Sequence, residues 1–257
     1  MGRRFEGKVI VITGSAGGIG RAAAARFASE GARLVLVDLA AAELEESLAQ
    51  VKQAGGEAIM VEADVTRRAD VERYAAMAVE RFGGIDGFFN NAGILGAVSP
   101  LVDYPEDTFD RVLAVNVKAV WLGLKVVGPA IMARGGGAIV NTASTAGLRG
   151  SPNLAAYVAS KHAVIGLTRT ASREFIARGV RVNAVCPAPI ETSMVNLLEN
   201  GLGPHDRAAI RARLTANIPI GRYGRPEEVA ALVAFLMSAD ASYVNGAAYT
   251  LDGGMLA

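Results

Sequence analysis

Tyr157 and Lys161, four residues apart, are the pair that points most directly to a reaction. They lie in a stretch rich in Ala, Leu and Val, which predicts a helix over residues 154–178. Residues at i and i+4 share one helix face, so a phenol and an ammonium are presented side by side. A neighbouring cation lowers the pKa of a tyrosine, which suits proton transfer near neutral pH. An isolated pair of this spacing is more often an ordinary exposed pair, so its meaning depends on the other motifs.

The composition restricts the class of protein. Of the 257 residues, 51% are hydrophobic, and 26 basic and 25 acidic residues give a net charge of +1. Because the charges are interspersed, the chain has no basic stripe for nucleic acid and no polybasic membrane patch. Lys125 interrupts the most apolar helical stretch, so we expect no membrane-spanning helix. The single cysteine, Cys186, is compatible with a reducing compartment, and we predict a cytoplasmic protein.

Short β-rich runs alternate with helical patterns along the chain. This alternation predicts an α/β fold of the Rossmann type, a doubly wound parallel sheet with seven strands and helices on both faces. The predicted strands are 9–13, 33–37, 57–62, 85–90, 138–143, 180–185 and 247–251. The predicted helices are 19–30, 41–54, 67–82, 109–133, 154–178 and 226–238. With no repeat and no long linker, residues 1–257 are expected to form a single domain.

One segment departs from this alternation. Residues 191–224 are polar and punctuated by Gly and Pro, where a short crossover would be enough. Long connections in a compact domain are often functional lids. Met194, Leu197 and Leu198 give the segment an apolar face, so we expect it to be an insert that covers the substrate.

A glycine-rich turn, residues 13–20, follows the first predicted strand and opens a helix. Its glycines let the backbone approach a pyrophosphate, and the helix N-terminus offers free N–H groups. The second strand ends at Asp38, whose carboxylate can accept hydrogen bonds from the adenosine ribose and repels a 2′-phosphate. No arginine or lysine stands at positions 15, 16, 17 or 39 to offset this repulsion. The predicted cofactor is therefore NAD(H) and not NADP(H).

Two further strand ends extend the expected cofactor site. Asp64 and Val65 would bracket the adenine, and Asn-Asn-Ala-Gly at 90–93 would flank the adenosine ribose. Such turns are also routine at strand ends, so each is only suggestive alone. The residues assigned to the cofactor on these grounds are Gly14, Ser15, Gly17, Gly18, Ile19, Gly20, Asp38, Leu39, Asp64, Val65, Asn90, Ala92 and Gly93.

In order and spacing these motifs resemble the short-chain dehydrogenase/reductase family over essentially the whole chain. The matching residues are T-G-x-x-x-G-x-G at 13–20, N-N-A-G at 90–93, Asn116, Ser144, Y-x-x-x-K at 157–161 and D-G-G at 252–254. The resemblance implies a catalytic tetrad of Asn116, Ser144, Tyr157 and Lys161. Tyr157 would be the general base in alcohol oxidation and the general acid in ketone reduction, while Ser144 would hydrogen-bond the substrate oxygen.

The resemblance also implies supporting roles. Lys161 would lower the pKa of Tyr157 and, with it, contact the nicotinamide ribose, and Asn116 would hold a water that links Lys161 to solvent. Taken singly, Ser144 could instead be a strand-end cap and Asn116 could satisfy a neighbouring backbone group. No metal is implied, and the sequence has no cluster of ligands at metal-binding spacing.

The loop after the sixth strand departs from the family pattern. Family members usually have Pro-Gly here, whereas this chain has Pro187-Ala188. Alanine disfavours a strongly positive φ, so the path of the loop is open. The resemblance still assigns Pro187, Ile190 and Thr192 to the cofactor, with Thr192 and the Ile190 backbone at the nicotinamide carboxamide.

The expected substrate pocket is apolar. Its residues are Ser144, Tyr157, Ile94, Leu95, Met194, Leu197 and Leu198, with Ala146 and Leu148 beside them. No arginine or lysine is clearly placed to bind a carboxylate or phosphate, although Arg149 could reach inward. We therefore predict a neutral secondary alcohol or its ketone. Family members are mostly tetramers, which implies a homotetramer packed through the helices at 109–133 and 154–178 and the last strand. Trp121, Leu122, Val126 and the tail 255–257 fit such an interface and equally fit a plain core.

Three alternatives remain open. The first is an NADPH-dependent 3-oxoacyl-thioester reductase, against which Asp38 argues. The second is a sugar-nucleotide epimerase or dehydratase on a longer scaffold, which favours a different glycine spacing. The third is a catalytically silent NAD-binding regulatory protein, which the intact tetrad disfavours.

Overall fold

The computed structural model describes residues 3–39, 41–203 and 205–257. Residue 204 of the predicted 191–224 insert, like residues 1, 2 and 40, lies outside the described residues. Seven parallel strands in the described ranges form one sheet in the order β3-β2-β1-β4-β5-β6-β7. They are β1 (Val9–Thr13), β2 (Arg33–Asp38), β3 (Glu57–Glu62), β4 (Gly87–Asn90), β5 (Gly137–Thr142), β6 (Val180–Pro187) and β7 (Ala248–Leu251). The predicted fold class is confirmed.

Helices cover both faces of the sheet. They are α1 (Gly18–Ser29), α2 (Ala41–Gln53), α3 (Arg68–Phe82), α4 (Glu106–Leu113), α5 (Ala119–Ala133), α6 (Ala155–Phe175), α7 (Ser193–Leu202), α8 (Arg207–Ala216) and α9 (Pro226–Met237). Residues of α3, α5 and α6 share one buried apolar cluster with the sheet, and residues of α1, α2 and α9 share another. Strand β1 feeds both clusters, because Val9 and Val11 face one layer while Ile10 and Ile12 face the other.

The order of the strands locates the place where a ligand can bind. The sheet runs outward from β1 to β2 and β3 on one side and from β4 to β7 on the other. Connections from β1 and β4 therefore leave in opposite directions, which opens a crevice beyond the carboxyl ends of the strands.

The helical stretch Glu106–Ala133 differs from the single helix predicted over 109–133. It begins three residues earlier and is interrupted by a π-helical turn, Ala114–Lys118, between α4 and α5. By length and composition alone the stretch could cross a membrane, since an 18-residue window of it has a mean hydropathy of 1.4, so Lys125 does not exclude it as expected. Half of that window is buried inside the fold, as in the core helix of a globular protein.

The predicted insert contains two helices, α7 and α8. They pack over a small apolar cluster of Val195, Ile218 and Tyr223, joined by the partly buried Leu214 and Met255. We call this set the lid cluster. It lies apart from the two clusters of the sheet and holds the insert over the carboxyl ends of the strands.

Candidate active site

A cavity of about 830 Å³ lies at the carboxyl ends of the strands. Its wall is formed by the loops that follow β1, β2, β3, β4, β5 and β6, together with the insert and the tail after β7. The predicted residues found in the wall are Gly14, Gly17, Gly18, Ile19, Asp38, Leu39, Asp64, Val65, Ala92, Gly93, Ile94, Leu95, Ser144, Tyr157, Lys161, Pro187, Ile190, Thr192, Met194 and Leu198. The fold therefore brings most of the expected cofactor and substrate residues to one place.

The glycine-rich turn has the backbone that a pyrophosphate requires. Gly14 has a φ of +67°, and a Cβ there would lie 2.9 Å from the Ala92 Cα, so only glycine fits. Gly17 is the N-cap of α1, carries no side-chain cap and has open space beside it. The first N–H groups of α1 consequently meet the cavity at the positive end of the helix dipole. These residues fit a dinucleotide phosphate.

Asp38 lies between this turn and the end of β2. Its Oδ2 accepts a hydrogen bond from the Ala16 N–H at 2.9 Å, and its Oδ1 accepts one from the Leu39 N–H at 2.8 Å. The carboxylate is thus fixed at the adenosine end of the cavity. The cation nearest to this turn, Arg21, donates to the Ala16 carbonyl and pairs with Glu46 at 2.6 Å. Its charge is therefore already balanced.

Helix α6 presents Tyr157 and Lys161 on one face, as predicted. The Lys161 Nζ lies 5.5 Å from the centroid of the Tyr157 ring and donates to the Thr142 carbonyl at 2.8 Å. Ser144 follows β5, and its Oγ accepts a hydrogen bond from the Ala146 N–H at 3.1 Å while donating to the Pro187 carbonyl at 3.4 Å. Phenol, hydroxyl and ammonium therefore converge on the same end of the cavity, although they come from two elements.

Burial sets the proton affinities of this group. It raises the pKa of Tyr157, and the Ser144 hydroxyl acts in the opposite direction. Burial also lowers the pKa of Lys161 from 10.5 to about 8. Burial has the largest effect on the pKa of Tyr157, and the Lys161 ammonium donates to the Thr142 carbonyl, so the expectation that Lys161 lowers the pKa of Tyr157 stays a prediction.

Asn116 lies in the π-helical turn and is fully buried. Its Nδ2 donates to the Ile94 carbonyl at 2.9 Å and to the Ser160 Oγ at 3.0 Å, and its Oδ1 accepts from the Ile94 N–H at 2.8 Å. The amide thus ties the segment after β4 to α6, next to Lys161. Gly93 packs closely against both side chains: a Cβ there would lie 3.3 Å from the Asn116 Oδ1 and 3.4 Å from the Lys161 Nζ. A π turn is often found at functional sites.

The loop after β6 accepts alanine without strain. In the described part of the chain the only non-glycine residue with a positive φ is Asn153, so Ala188 does not need the glycine that family members have there. The loop is held by the Ala188 N–H, which donates to the Leu251 carbonyl at 3.0 Å, and by a bridge between Ile190 and Gly224. Thr192 then reaches the glycine turn: a Cβ at Gly18 would lie 2.4 Å from its Cγ2.

Five assigned residues do not line the cavity, and the buried Asn116 described above is one of them. Ser15 and Asn90 turn their side chains into the interior, where Ser15 donates to the Val37 carbonyl and Asn90 donates to the Val120 carbonyl and the Asn141 Oδ1. Gly20 allows helix α1 to pack closely on the turn, because a Cβ there would lie 2.0 Å from the Gly14 carbonyl oxygen. Leu197 lies on the outer side of α7 and is 60% exposed.

The wall also contains residues that sequence reasoning missed. Leu202 shares the cavity face of α7 with Met194 and Leu198, and its i+4 spacing from Leu198 could have revealed it. Others have no local signal, since their place depends on how the insert and the tail pack; among them are Arg213, Leu214, Asn217 and Met255. Unassigned wall residues outside these two segments include Val115, Thr145, Ser151, Asn153 and Leu154.

The arrangement has the chemistry of proton transfer at a secondary carbon–oxygen bond. A phenol lies beside a hydroxyl and an ammonium, and the adjoining wall is largely apolar. Over residues 3–39, 41–203 and 205–257 no three His, Cys, Asp or Glu side chains are grouped so that they could hold a metal ion.

Known proteins are similar to this chain over nearly its whole length. A family model described as enoyl-(acyl carrier protein) reductase matches residues 14–256. Levodione reductase from Leifsonia aquatica is 45% identical over 99% of this chain and 96% of its own length. Cyclohexanol dehydrogenase from Acinetobacter sp. (strain SE19) is 40% identical over 98% of this chain and 96% of its own length.

Solved structures show the same relationship. The crystal structure of levodione reductase has a TM-score of 0.96 and 44% identity, covering 97% of this chain and 98% of that one. The crystal structure of NAD⁺-bound xylitol dehydrogenase has a TM-score of 0.93 and 38% identity, covering 97% and 99%. Both likenesses span nearly the whole chain, and the chain therefore belongs to the short-chain dehydrogenase/reductase family.

Proposed function

We propose that this protein is an NAD(H)-dependent oxidoreductase that interconverts a neutral secondary alcohol and its ketone. The observation that carries the proposal is the convergence of Ser144, Tyr157 and Lys161 at the end of a cavity whose other end has the glycine turn and Asp38. One end suits a reacting carbon–oxygen bond and the other suits a dinucleotide. The relatives levodione reductase and cyclohexanol dehydrogenase, by name, act on ketones or alcohols.

The residues divide the proton chemistry among them. Ser144 donates a hydrogen bond to the substrate oxygen and holds it against Tyr157. The Tyr157 phenolate takes the proton of an alcohol during oxidation, and the Tyr157 phenol gives its proton to the ketone oxygen during reduction. The Lys161 ammonium, on the same helix face, sets the electrostatic potential at the Tyr157 phenol. The nicotinamide, when bound, accepts or donates the hydride, and the protein contributes position and electrostatics.

Asp38 supports NAD(H) over NADP(H). A 2′-phosphate placed at the end of β2 would meet a fixed carboxylate, and Arg21 is already paired with Glu46. The NAD⁺-bound state of the similar xylitol dehydrogenase agrees with this choice.

The wall supports a substrate with an apolar body. Ile94, Leu95, Met194 and Leu198 contribute its apolar surface, and the Met194 Sδ lies 4.0 Å from the Tyr157 hydroxyl oxygen. Two arginines, Arg149 and Arg213, also line the cavity and lie toward the insert and tail. Because these two side chains are cationic, a ketone that carries an acidic group is the appropriate comparison substrate in a panel.

The quaternary structure of the protein and its cellular location are also proposals. We infer a homotetramer packed through α5 and α6, since Trp121 on α5 is 43% exposed. Leu122 is instead buried in the core, and Met255 lines the cavity of its own chain. A cytoplasmic location stays a prediction.

The test is a spectrophotometric panel that follows NADH. Cyclohexanol, cyclohexanone and an acidic ketone are assayed with both NAD(H) and NADP(H), using the parent enzyme and Tyr157→Phe. We expect turnover of the neutral pair with NAD(H), a loss of at least about 100-fold in Tyr157→Phe, and a clear preference over NADP(H). Undiminished turnover in Tyr157→Phe would contradict the proposed mechanism, and a preference for the acidic ketone would contradict the proposed substrate.

A 3-oxoacyl-thioester reductase is the second candidate. The description of the matching family model, enoyl-(acyl carrier protein) reductase, favours acyl-thioester chemistry. A 3-oxoacyl thioester added to the same panel decides between them: turnover with NADPH in preference to NADH would favour this candidate over the first. Any NADH-linked turnover excludes a catalytically silent regulator.

A further inference from the structure

The tail that follows β7 is folded into a tight turn by Asp252. The two oxygens of its carboxylate accept hydrogen bonds from the Gly254 N–H at 3.1 Å and the Leu256 N–H at 3.0 Å, which belong to the residues on either side of Met255. Gly253 and Gly254 have φ values of +60° and +90°, a conformation that favours glycine. The turn therefore fixes the direction in which the Met255 side chain leaves the backbone.

The turn is also pressed against the segment after α8. A Cβ at Gly253 would lie 2.6 Å from the Ile220 Cγ2, and the Ile220 N–H donates to the Gly253 carbonyl at 3.2 Å. The tail thus has little room to move away from the insert.

Met255 itself joins the two sides of the cavity. It lines the cavity wall and packs on the lid cluster, whose members Val195 and Tyr223 belong to the insert and its closing loop. From the opposite side, the Nη2 of Arg149, in the loop after β5, contacts the Met255 Sδ at 3.1 Å. Met194, by contrast, contacts the Tyr157 hydroxyl. One thioether therefore lies at the reacting oxygen, and the other lies where the insert, the tail and the β5 loop meet.

We propose that Met255 is a specificity-determining residue that limits the size of the group a substrate carries away from its carbonyl carbon. This inference rests on the proposed function, because it assumes that the substrate oxygen lies at Tyr157. A thioether on an unbranched chain adapts to an irregular apolar body. In a hydrophobic pocket, one methylene changes discrimination by about 10- to 200-fold.

The experiment compares unsubstituted cyclohexanone with 4-methyl- and 4-tert-butylcyclohexanone in the full-length enzyme saturated with NADH. In Met255→Ala we expect the ratio of kcat/KM for the tert-butyl ketone to that for cyclohexanone to rise at least about tenfold. Met255→Leu is expected to keep the parental ratio. Leu256→Ala, the neighbouring tail residue outside the cavity wall, is the matched control and is also expected to keep it.

A second measurement separates this inference from the proposed function. Binding of the same ketones is measured by calorimetry in Tyr157→Phe and in Tyr157→Phe/Met255→Ala, so that turnover is not needed. If the parent enzyme reduces none of the ketones, the proposed substrate is wrong, yet a shift of the binding ratio in the double variant still supports the pocket wall. A binding or kcat/KM ratio that stays within about twofold of the parent overturns the inference, as does a failure of all three ketones to bind.

Discussion

The Lys161 ammonium is 3% exposed and makes a hydrogen bond to the Thr142 carbonyl. Its pKa of about 8 shows that the fold disfavours the charge that the chemistry requires. Tyr157 experiences the same environment with the opposite result, since burial raises its pKa. The two side chains are thus held in a place where their ionised forms are costly, which is typical of groups retained for function.

The first prediction concerns stability. Replacing Lys161 by methionine removes a buried ammonium whose pKa is lowered from 10.5 to about 8, a difference on the order of 3 kcal/mol. Removing the ammonium therefore stabilises the fold, but it also removes the hydrogen bond to the Thr142 carbonyl, which offsets part of the stabilisation. We expect Lys161→Met to abolish turnover and to raise the free energy of unfolding by about 1–2 kcal/mol at neutral pH, as measured by urea denaturation of the cofactor-free enzyme.

The pH dependence provides the check. Between about pH 8 and 10.5 the unfolded chain still binds the proton that folded Lys161 has released, so the parent enzyme gains stability as pH rises. The variant lacks this gain, and its advantage should shrink across that range. An advantage that is independent of pH would show that the lowered pKa of Lys161 is not its cause, and a less stable variant at neutral pH would show that Lys161 supports the fold.

The second prediction concerns the pH profile of the reaction. Because burial raises the pKa of Tyr157, the phenolate needed for alcohol oxidation is scarce at neutral pH. We expect kcat/KM for oxidation to rise with pH between about pH 6 and 10, and kcat/KM for reduction to fall at the alkaline end. Ser144 counteracts the effect of burial, so Ser144→Ala should shift the oxidation profile to higher pH in addition to lowering the rate. A profile that Ser144→Ala lowers without shifting would contradict this role.

At the scale of elements, the strands and their ends are predictable because physical rules link them to local sequence. Buried parallel strands are apolar throughout, so the run at residues 9–12 reveals β1, and the polar residue that ends β2, Asp38, falls at the cavity. Side-chain direction is harder to predict. Ser15 and Asn90 lie in the right turns, yet both turn inward to satisfy buried backbone carbonyls.

The π-helical turn has no such local signal. Residues 114–118, Ala-Val-Asn-Val-Lys, resemble any other helical segment. The wider turn places Asn116 where its amide bonds both Ile94 and Ser160, which are distant in sequence. Partners of this kind become visible only in the folded chain.

Helix α7 illustrates the same limit. Its apolar face predicts a lid, but a charged residue of the same helix, Glu199, is only 1% exposed. Its carboxylate accepts hydrogen bonds from the buried Tyr223 hydroxyl at 3.0 Å and from Arg207 of α8 at 3.0 Å. This carboxylate therefore joins α7, α8 and the closing loop of the insert, and so positions Met194 and Leu198.

The third prediction follows from this contact. Glu199→Ala leaves Tyr223 and Arg207 without their acceptor, so α7 should lose its fixed position. We expect KM for the ketone to rise about tenfold with a smaller change in kcat, while the Kd for NADH, measured by fluorescence titration, stays within about twofold.

Two variants test whether position is the cause. Glu199→Gln keeps an acceptor of the same size and should recover part of the ketone KM. Glu191→Gln, which breaks the exposed pair with Arg211 in the same insert, should behave like the parent. An equal loss of NADH and ketone binding in Glu199→Ala would indicate general unfolding of the site instead.

At the scale of the whole molecule, the site depends on the sheet, which gathers loops from distant parts of the chain. Residues from Gly14 to Met255 meet at one edge, and the two helices that carry Asn116, Tyr157 and Lys161, α5 with its π turn and α6, pack on the same face. The opposite side of α5 does not contribute to the site. There Trp121 is 43% exposed, with the Lys125 Nζ 4.6 Å from its ring centroid.

The last prediction uses this exposed ring. Large aromatic side chains bury well at interfaces between subunits, and their exposure in a single chain suggests a partner. If α5 packs against a second copy, Trp121→Asp places a charge in that contact, and the molar mass measured by light scattering should fall from a tetramer to a dimer or monomer. Lys52→Asp is the control, since Lys52 is exposed on α2, which packs on the other face of the sheet from α5 and α6. A tetramer that survives Trp121→Asp would place the interface on another surface, and a monomeric parent would remove the need for one.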